Sequence, residues 1–183
     1  MFFLAHGTRH RRLPDEEVVD ANLASALAAM NAPALVVNAR FDVLAANPAA
    51  RRVFHCCGDN ILRSMFVGEE LREFYVFFAE VEADTVASFR ANADQYLGDP
   101  RFEALIQELI AGSPRFRELW ARHDVSSRMS GRKLVRASTG EIALDWHALA
   151  SPTSSGQILL FHVGVTPEDQ ARLQALLTAP TPR

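Results

Sequence analysis

Apolar residues recur along most of this chain with a period near 3.6 and, after Gly131, with a period of 2. Helices followed by a block of strands are the expectation. From Pro14 and Asp15 onward, Val19, Leu23, Ala26, Leu27 and Met30 share a helical face that ends near Asn31 and Pro33. The short apolar runs at residues 34–39 and 42–47, parted by Arg40 and Phe41, predict a tight hairpin. Asn47 and Pro48 then provide an N-cap and a first-turn proline for a helix carrying Ala49, Ala50, Val53 and Phe54.

The middle of the chain is helical and aromatic. Leu71, Phe74, Tyr75 and Phe78 fall at i, i+3, i+4 and i+7, with Met65, Phe66 and Phe77 close by. The helix predicted over residues 81–97 has Val81, Thr85, Ser88, Phe89, Asn92 and Tyr96 on its inner face. Small polar groups among apolar ones suit a cavity wall better than a dry core. Asp99 and Pro100 break that helix, and Phe102, Leu105, Ile106, Leu109 and Ile110 define the next one, closed by Gly112. Ser113 and Pro114 cap a central helix on which Phe116, Leu119, Trp120 and His123 share a face, with Arg115, Arg117, Glu118 and Arg122 on its flanks and back. An inward histidine at a helix C-terminus calls for a carboxylate, supplied by Asp124, by Asp145 or by a ligand; the alternative is a core histidine satisfied within the protein.

After Gly131, residues 133–137, 141–149 and 157–163 read as strands. In the second, Ile142, Leu144, Trp146 and Ala148 take one face while Asp145 and His147 take the other. In the third, both faces are apolar except at His162. Thr166 to Asp169 resembles a capping box that opens a last helix through Leu173, Leu176 and Leu177. Two strands, several helices and three strands predict an α+β fold, an antiparallel five-stranded sheet with helices packed on one side.

Composition narrows the function. The 183 residues, 49% hydrophobic and 22% charged with a net charge of −3, are those of an ordinary globular domain. They lack the basic surplus of a DNA-reading module, although Arg9, Arg11 and Arg12, and again Arg128, Arg132, Lys133 and Arg136, cluster locally. The only cysteines, Cys56 and Cys57, are adjacent, so a disulfide framework is not expected and a cytoplasmic setting is. The opening residues are too short an apolar run for a signal peptide or a membrane span.

Known catalytic patterns are mostly absent. The nine glycines are too widely spaced for G-x-G-x-x-G or a P-loop, and neither G-x-S-x-G nor H-E-x-x-H occurs. Ser130 to Lys133 matches S-x-x-K only formally, at a strand entry instead of a helix start. His55, Cys56 and Cys57 are consecutive, which suits buried small hydrophobes better than a tetrahedral zinc site. Nothing in the sequence brings Glu69 and Glu70, or Asp42 and Asp145, together as an acid/base pair. No metal or cofactor is expected. Aromatic and apolar faces exceed what a thin sheet needs, and with Arg122, His123, Arg132 and Lys133 they suggest an apolar cavity with a cationic corner, suited to an amphiphile with an acidic head.

The block at residues 33–54 (PALVVNARFDVLAANPAARRVF), NILRSMF at 60–66, LREFY at 71–75, FRELWARHDV at 116–125, SGRK at 130–133 and TGEIALDWHAL at 139–149 together resemble the ligand-binding domain of MmyB-like transcription regulators. The motifs run in family order over residues 32–163, and LWARHDV followed by SGRK is the most specific part. The resemblance implies a PAS-like fold. It also implies a helix-turn-helix of Xre type, which this chain does not show, and a fatty acid as the candidate ligand. Trp120, Arg122, His123, Asp124, Gly131 and Arg132 match the family motif. Ala46, Phe78, Trp146 and His147 depart from it, where relatives carry Trp, Trp and a Tyr-Glu pair, so pocket volume and polarity differ.

The expected function is that of a non-catalytic ligand-sensing domain of a bacterial transcription regulator. Residues 1–14 would be a linker remnant of a missing N-terminal DNA-binding domain, 15–178 the PAS-like domain and 179–183 a disordered tail. The expected ligand-binding residues are Phe74, Tyr75, Phe78, Phe89, Leu119, Trp120, Arg122, His123, Arg132, Leu144, Trp146 and Phe161. Expected partners are a small amphiphile and, through the missing domain, DNA, with a homodimer also in view and no membrane. The competing readings are a dimerisation module with a filled core and an acyl-acting enzyme that uses His123.

Overall fold

The computed structural model describes residues 17–55, 58–68, 70–151 and 156–179. The basic segment, the adjacent cysteines and the C-terminal tail from residue 180 lie outside them. In chain order the elements are α1 (Ala21–Ala29), β1 (Ala34–Val37), β2 (Val43–Ala46), α2 (Pro48–Val53), α3 (Ile61–Phe66), α4 (Glu70–Phe74), α5 (Phe78–Gln95), α6 (Pro100–Gly112), α7 (Pro114–Ala121), β3 (Ser130–Ala137), β4 (Gly140–Ala150), β5 (Ile158–Gly164) and α8 (Pro167–Thr178). The strands form one antiparallel sheet in the order β2-β1-β5-β4-β3. This is the expected α+β, PAS-like arrangement.

Alternation along each strand decides what the sheet presents. Trp146 pairs with His162 and with Gly131, Ala148 pairs with Leu160, and Leu160 pairs with Leu35. These residues therefore line one face, and their neighbours in sequence line the other. The first face carries the main core, in which Val135, Ile142 and Leu144 meet Phe54, Phe74, Phe78 and the last-helix residue Leu173. A second core joins α5, α6 and α7 through Phe89, Phe102, Leu109 and Phe116. To this arrangement α1 adds a cover on the opposite face, where Leu23 and Leu27 pack on Ala34, Val36 and Leu159.

Local chemistry sets the element ends. Asn47 caps α2 by accepting from the Ala50 amide at 2.8 Å, and its side-chain nitrogen also donates to the Met30 and Ala32 carbonyls. Ser113 caps α7, and Thr166 with Asp169 forms the capping box of α8. The spacing at residues 71–78 does not give one continuous helix. Tyr75 bridges to Val135 and the Val76 amide donates to the Leu134 carbonyl at 2.9 Å, so strand pairing interrupts the helix until Phe78. The four residues of that pattern are still all buried, because both flanking helices turn the same side to the sheet.

Two polar devices fix the β1 end of the domain. At the β1–β2 turn, Asn38 and Asn60 donate to the two carboxylate oxygens of Asp42 at 2.8 and 2.7 Å, while Arg40 pairs with both Asp42 and Glu17. Burial pushes the Asp42 carboxyl up, but these hydrogen bonds and the Arg40 charge outweigh it and hold it below the usual range. Gln157, buried just before β5, accepts from the Asp20 amide and donates to the Val18 carbonyl, both at 2.8 Å. It ties the lead-in of α1 to the start of β5.

Candidate ligand-binding cavity

Between α5 and the sheet lies a cavity of about 780 Å³. Its walls differ in chemistry. The sheet side is apolar, with Leu35, Val37, Ala148, Ile158 and Leu160 on the core face of β1, β4 and β5. The α5 side carries Val81, Thr85, Ser88 and Asn92, and Asp84 and Gln95 stand at its exposed edge. The mixed inner face read from the helical period is therefore on the cavity, apart from Phe89, which packs away from it between Phe41, Phe102 and Trp120.

A cation and an imidazole share the sheet wall. Lys133 lies on the core face of β3, its Nζ 5.4 Å from the Tyr75 ring centroid and 5.6 Å from that of Trp146. His162 is 5% exposed and rests against Phe54, with ring centroids 4.6 Å apart. Its Nδ1 has no hydrogen-bond partner among the described residues. Burial, then the Lys133 charge, push the imidazole down to about 3, so it is neutral at physiological pH. A neutral imidazole carries one N–H, and the Pro33 carbonyl beside the ring accepts it, which leaves an acceptor nitrogen in the cavity wall.

Gly131 shapes the same wall. A Cβ there would stand 2.7 Å from Nε1 of Trp146. Only glycine lets the indole lie across the backbone of β3, and this gives the glycine of the SGRK motif a packing reason.

Of the residues expected to form the site, the structure brings Tyr75, Arg132 and Trp146 to the cavity. Arg132 reaches only its margin, because its guanidinium is 63% exposed and pairs with Asp145 at 2.9 Å on the other face of the sheet. Phe74, Phe78 and Leu144 are buried in the main core beneath the cavity, and Phe89, Leu119 and Trp120 belong to the helical core. Phe161 alternates onto the far face and stacks on His147 at 5.1 Å. Arg122 is exposed and pairs with Glu118.

His123 corrects the expectation of an inward histidine. The helix stops at Ala121, Arg122 is its C-cap, and His123 follows in the left-handed region at φ 58°, exposed to solvent. The i+7 position of the apolar pattern falls two residues past the last helical residue. Ala46 likewise faces a separate, smaller cavity of about 290 Å³ beside β2 and not the large one.

The sequence pattern passed over His162, Leu160, Ala148, Leu35 and Val37 as site residues. Their signal was strand alternation in register across β1, β5 and β4, which exists only once the pairing order is known. Among the described residues, no group of three or more His, Cys, Asp or Glu side chains is placed to hold a metal, and no helix is long and apolar enough to cross a membrane.

The profile of one protein family, described as the MmyB-like transcription regulator ligand binding domain, matches residues 19–177. No curated protein matches the chain.

Proposed function

We propose that this chain, which belongs to the MmyB-like transcription regulator ligand binding domain family, is a ligand-sensing domain that holds a small amphiphile between α5 and the sheet and thereby controls DNA binding by a helix-turn-helix module. The observation that carries the reading is the 780 Å³ cavity, apolar along the sheet and bordered on the same face by the Lys133 charge. Each methylene buried there contributes about 0.8 kcal/mol, so a chain of about a dozen supplies about 10 kcal/mol before the cost of immobilisation. The tail dominates affinity and the cation orients an acidic head.

A fatty acid is the simplest compound of that description. Its carboxylate would be drawn to Lys133, with Tyr75 and Trp146 closing around the head and Leu35, Val37, Ala148 and Leu160 along the tail. The protein works in the cytoplasm on this reading, where such regulators meet DNA. A cavity of this size weighs against a filled-core dimerisation module. The exposed position of His123 weighs against an enzyme built on it, so the reading is one of binding without turnover.

Mass spectrometry of the purified chain, native and after solvent extraction, tests the proposal. A stoichiometric small amphiphile, or calorimetric binding of C12 to C18 acids, is the expected result. A clean apo mass with no binding of any such acid overturns it.

A further inference from the structure

Besides the Lys133 cation on β3, the cavity differs in polarity between its two walls. Leu35, Val37, Ala148, Ile158 and Leu160 make the sheet wall apolar over β1, β4 and β5, with His162 set into it. Opposite them, Thr85, Ser88 and Asn92 recur at about one-turn spacing on the cavity side of α5. An unsubstituted alkyl chain would satisfy the sheet and leave this polar row facing methylenes, which desolvates polar groups with no return.

The hydrogen bonds within the α5 wall sharpen its preference. Thr85 Oγ1 donates its only proton to the Val81 carbonyl at 2.7 Å, so toward the cavity it can act only as an acceptor. Asn92 Nδ2 donates to the Ala39 carbonyl at 2.9 Å, which fixes the amide orientation and leaves Oδ1 as an acceptor. Gln95 Nε2 donates to the Ala91 carbonyl at 3.2 Å at the rim, with the same consequence for Oε1. The row thus offers more acceptor than donor capacity. A ligand hydroxyl fits it by donating its proton to one of these acceptors and taking the second N–H that each amide still holds.

Resting on the reading of this cavity as a ligand site, we infer that its ligand is a hydroxylated long-chain or ring carboxylic acid, a compound whose hydroxyls lie along one edge, facing Thr85, Ser88 and Asn92, while its opposite edge lies on Leu35 and Leu160. The acid head supplies the attraction to Lys133 and the hydroxylated edge supplies discrimination. Sites built to hydrogen-bond a ligand hydroxyl reject the analogue that lacks it, because their own polar groups are then buried unpaired.

Calorimetry of the full chain with stearic acid and with 9,10-dihydroxystearic acid tests this, since the two differ only in two hydroxyls. The dihydroxy acid is expected to bind about tenfold more tightly, on the scale of one or two net hydrogen bonds. Thr85→Val and Asn92→Leu are expected to erase the preference, bringing the dihydroxy acid to the affinity of stearic acid or below it. Should Asn92→Leu fail to fold, Thr85→Val with Ser88→Ala reads the same row. Equal or tighter binding of stearic acid, indifferent to these changes, overturns the hydroxylated class and leaves the sensor reading standing. Binding of neither acid by a folded protein overturns both.

Discussion

Gly131 and Trp146 are cross-strand partners so close that the indole Nε1 would stand 2.7 Å from any Cβ placed on the glycine. Gly131→Ala therefore pushes Trp146 off β3 and away from the Lys133 cation. A stability loss of about 1–3 kcal/mol is expected from overpacking, together with weaker ligand binding. Trp146→Phe added to Gly131→Ala should recover most of the stability in thermal melts. A second variant no more stable than the first would mean that the indole is not what the Cβ meets.

His162 makes stability depend on pH. Its ordinary value of 6.5 falls to about 3 in the folded protein, so between those values the unfolded chain binds the extra proton. The stabilisation is complete above about pH 6.5 and is lost as pH falls toward 3, with a limiting slope of about 1.4 kcal/mol per pH unit. The Asp42 carboxyl is depressed, so its contribution is lost lower still. Denaturant titrations from pH 7 to 5 should show the slope in the native protein and a flat line in His162→Leu. An unchanged slope in the variant would assign it elsewhere.

Ala148 lies on the sheet wall of the cavity at 9% exposure. Ala148→Trp fills the space a ligand chain would take and is expected to weaken C16 and C18 acids at least tenfold while sparing shorter ones. Native mass spectrometry across a chain-length series reads this. Equal loss at every length would indicate misfolding, which near-ultraviolet circular dichroism distinguishes.

The residue most prominent in the sequence is a separate test. His123 holds φ 58°, which is strained for a residue with a side chain and free for glycine. His123→Gly should stabilise the protein by about 1 kcal/mol and leave acid binding as it was. A large fall in affinity measured by calorimetry would return the histidine to the site.

Glu82, buried on α5, pairs with Arg115 at the start of α7, and Arg115 also meets Glu118. Arg115→Met leaves the carboxylate buried and unpaired, at a cost of roughly 2 kcal/mol, discounted because Arg115 is partly exposed. The double change with Glu82→Met should regain most of that. Urea unfolding of the three variants decides it, and an additive double mutant would deny the coupling.

The elements were largely legible in the sequence because their signals are local. Asn47-Pro48, Ser113-Pro114 and the Thr166 to Asp169 box each place a helix start through bonds within four residues. The stripe from Val81 through Thr85, Ser88 and Asn92 was readable for the same reason. The site was less legible because half of it is made by strand register. His162 and Leu160 become cavity residues only through pairing with Trp146 and Ala148. Phe74, Phe78 and Phe89 carry the same apolar pattern whether they line a void or fill one, so pattern alone assigns core residues to the pocket. His123 differs in kind, since a backbone that leaves the helix two residues before the i+7 position is invisible to a count of sevens.

Gln157 couples two parts of the domain mechanically. The same amide borders the cavity and holds residues 18 and 20, so displacement at the start of β5 and release of the lead-in to α1 are one mechanical event. Its two hydrogen bonds set the scale of the work transmitted. At about 1 kcal/mol each, breaking both shifts the balance between docked and undocked lead-ins by roughly thirtyfold. On the proposed sensor reading, that is a graded bias and not an all-or-none switch.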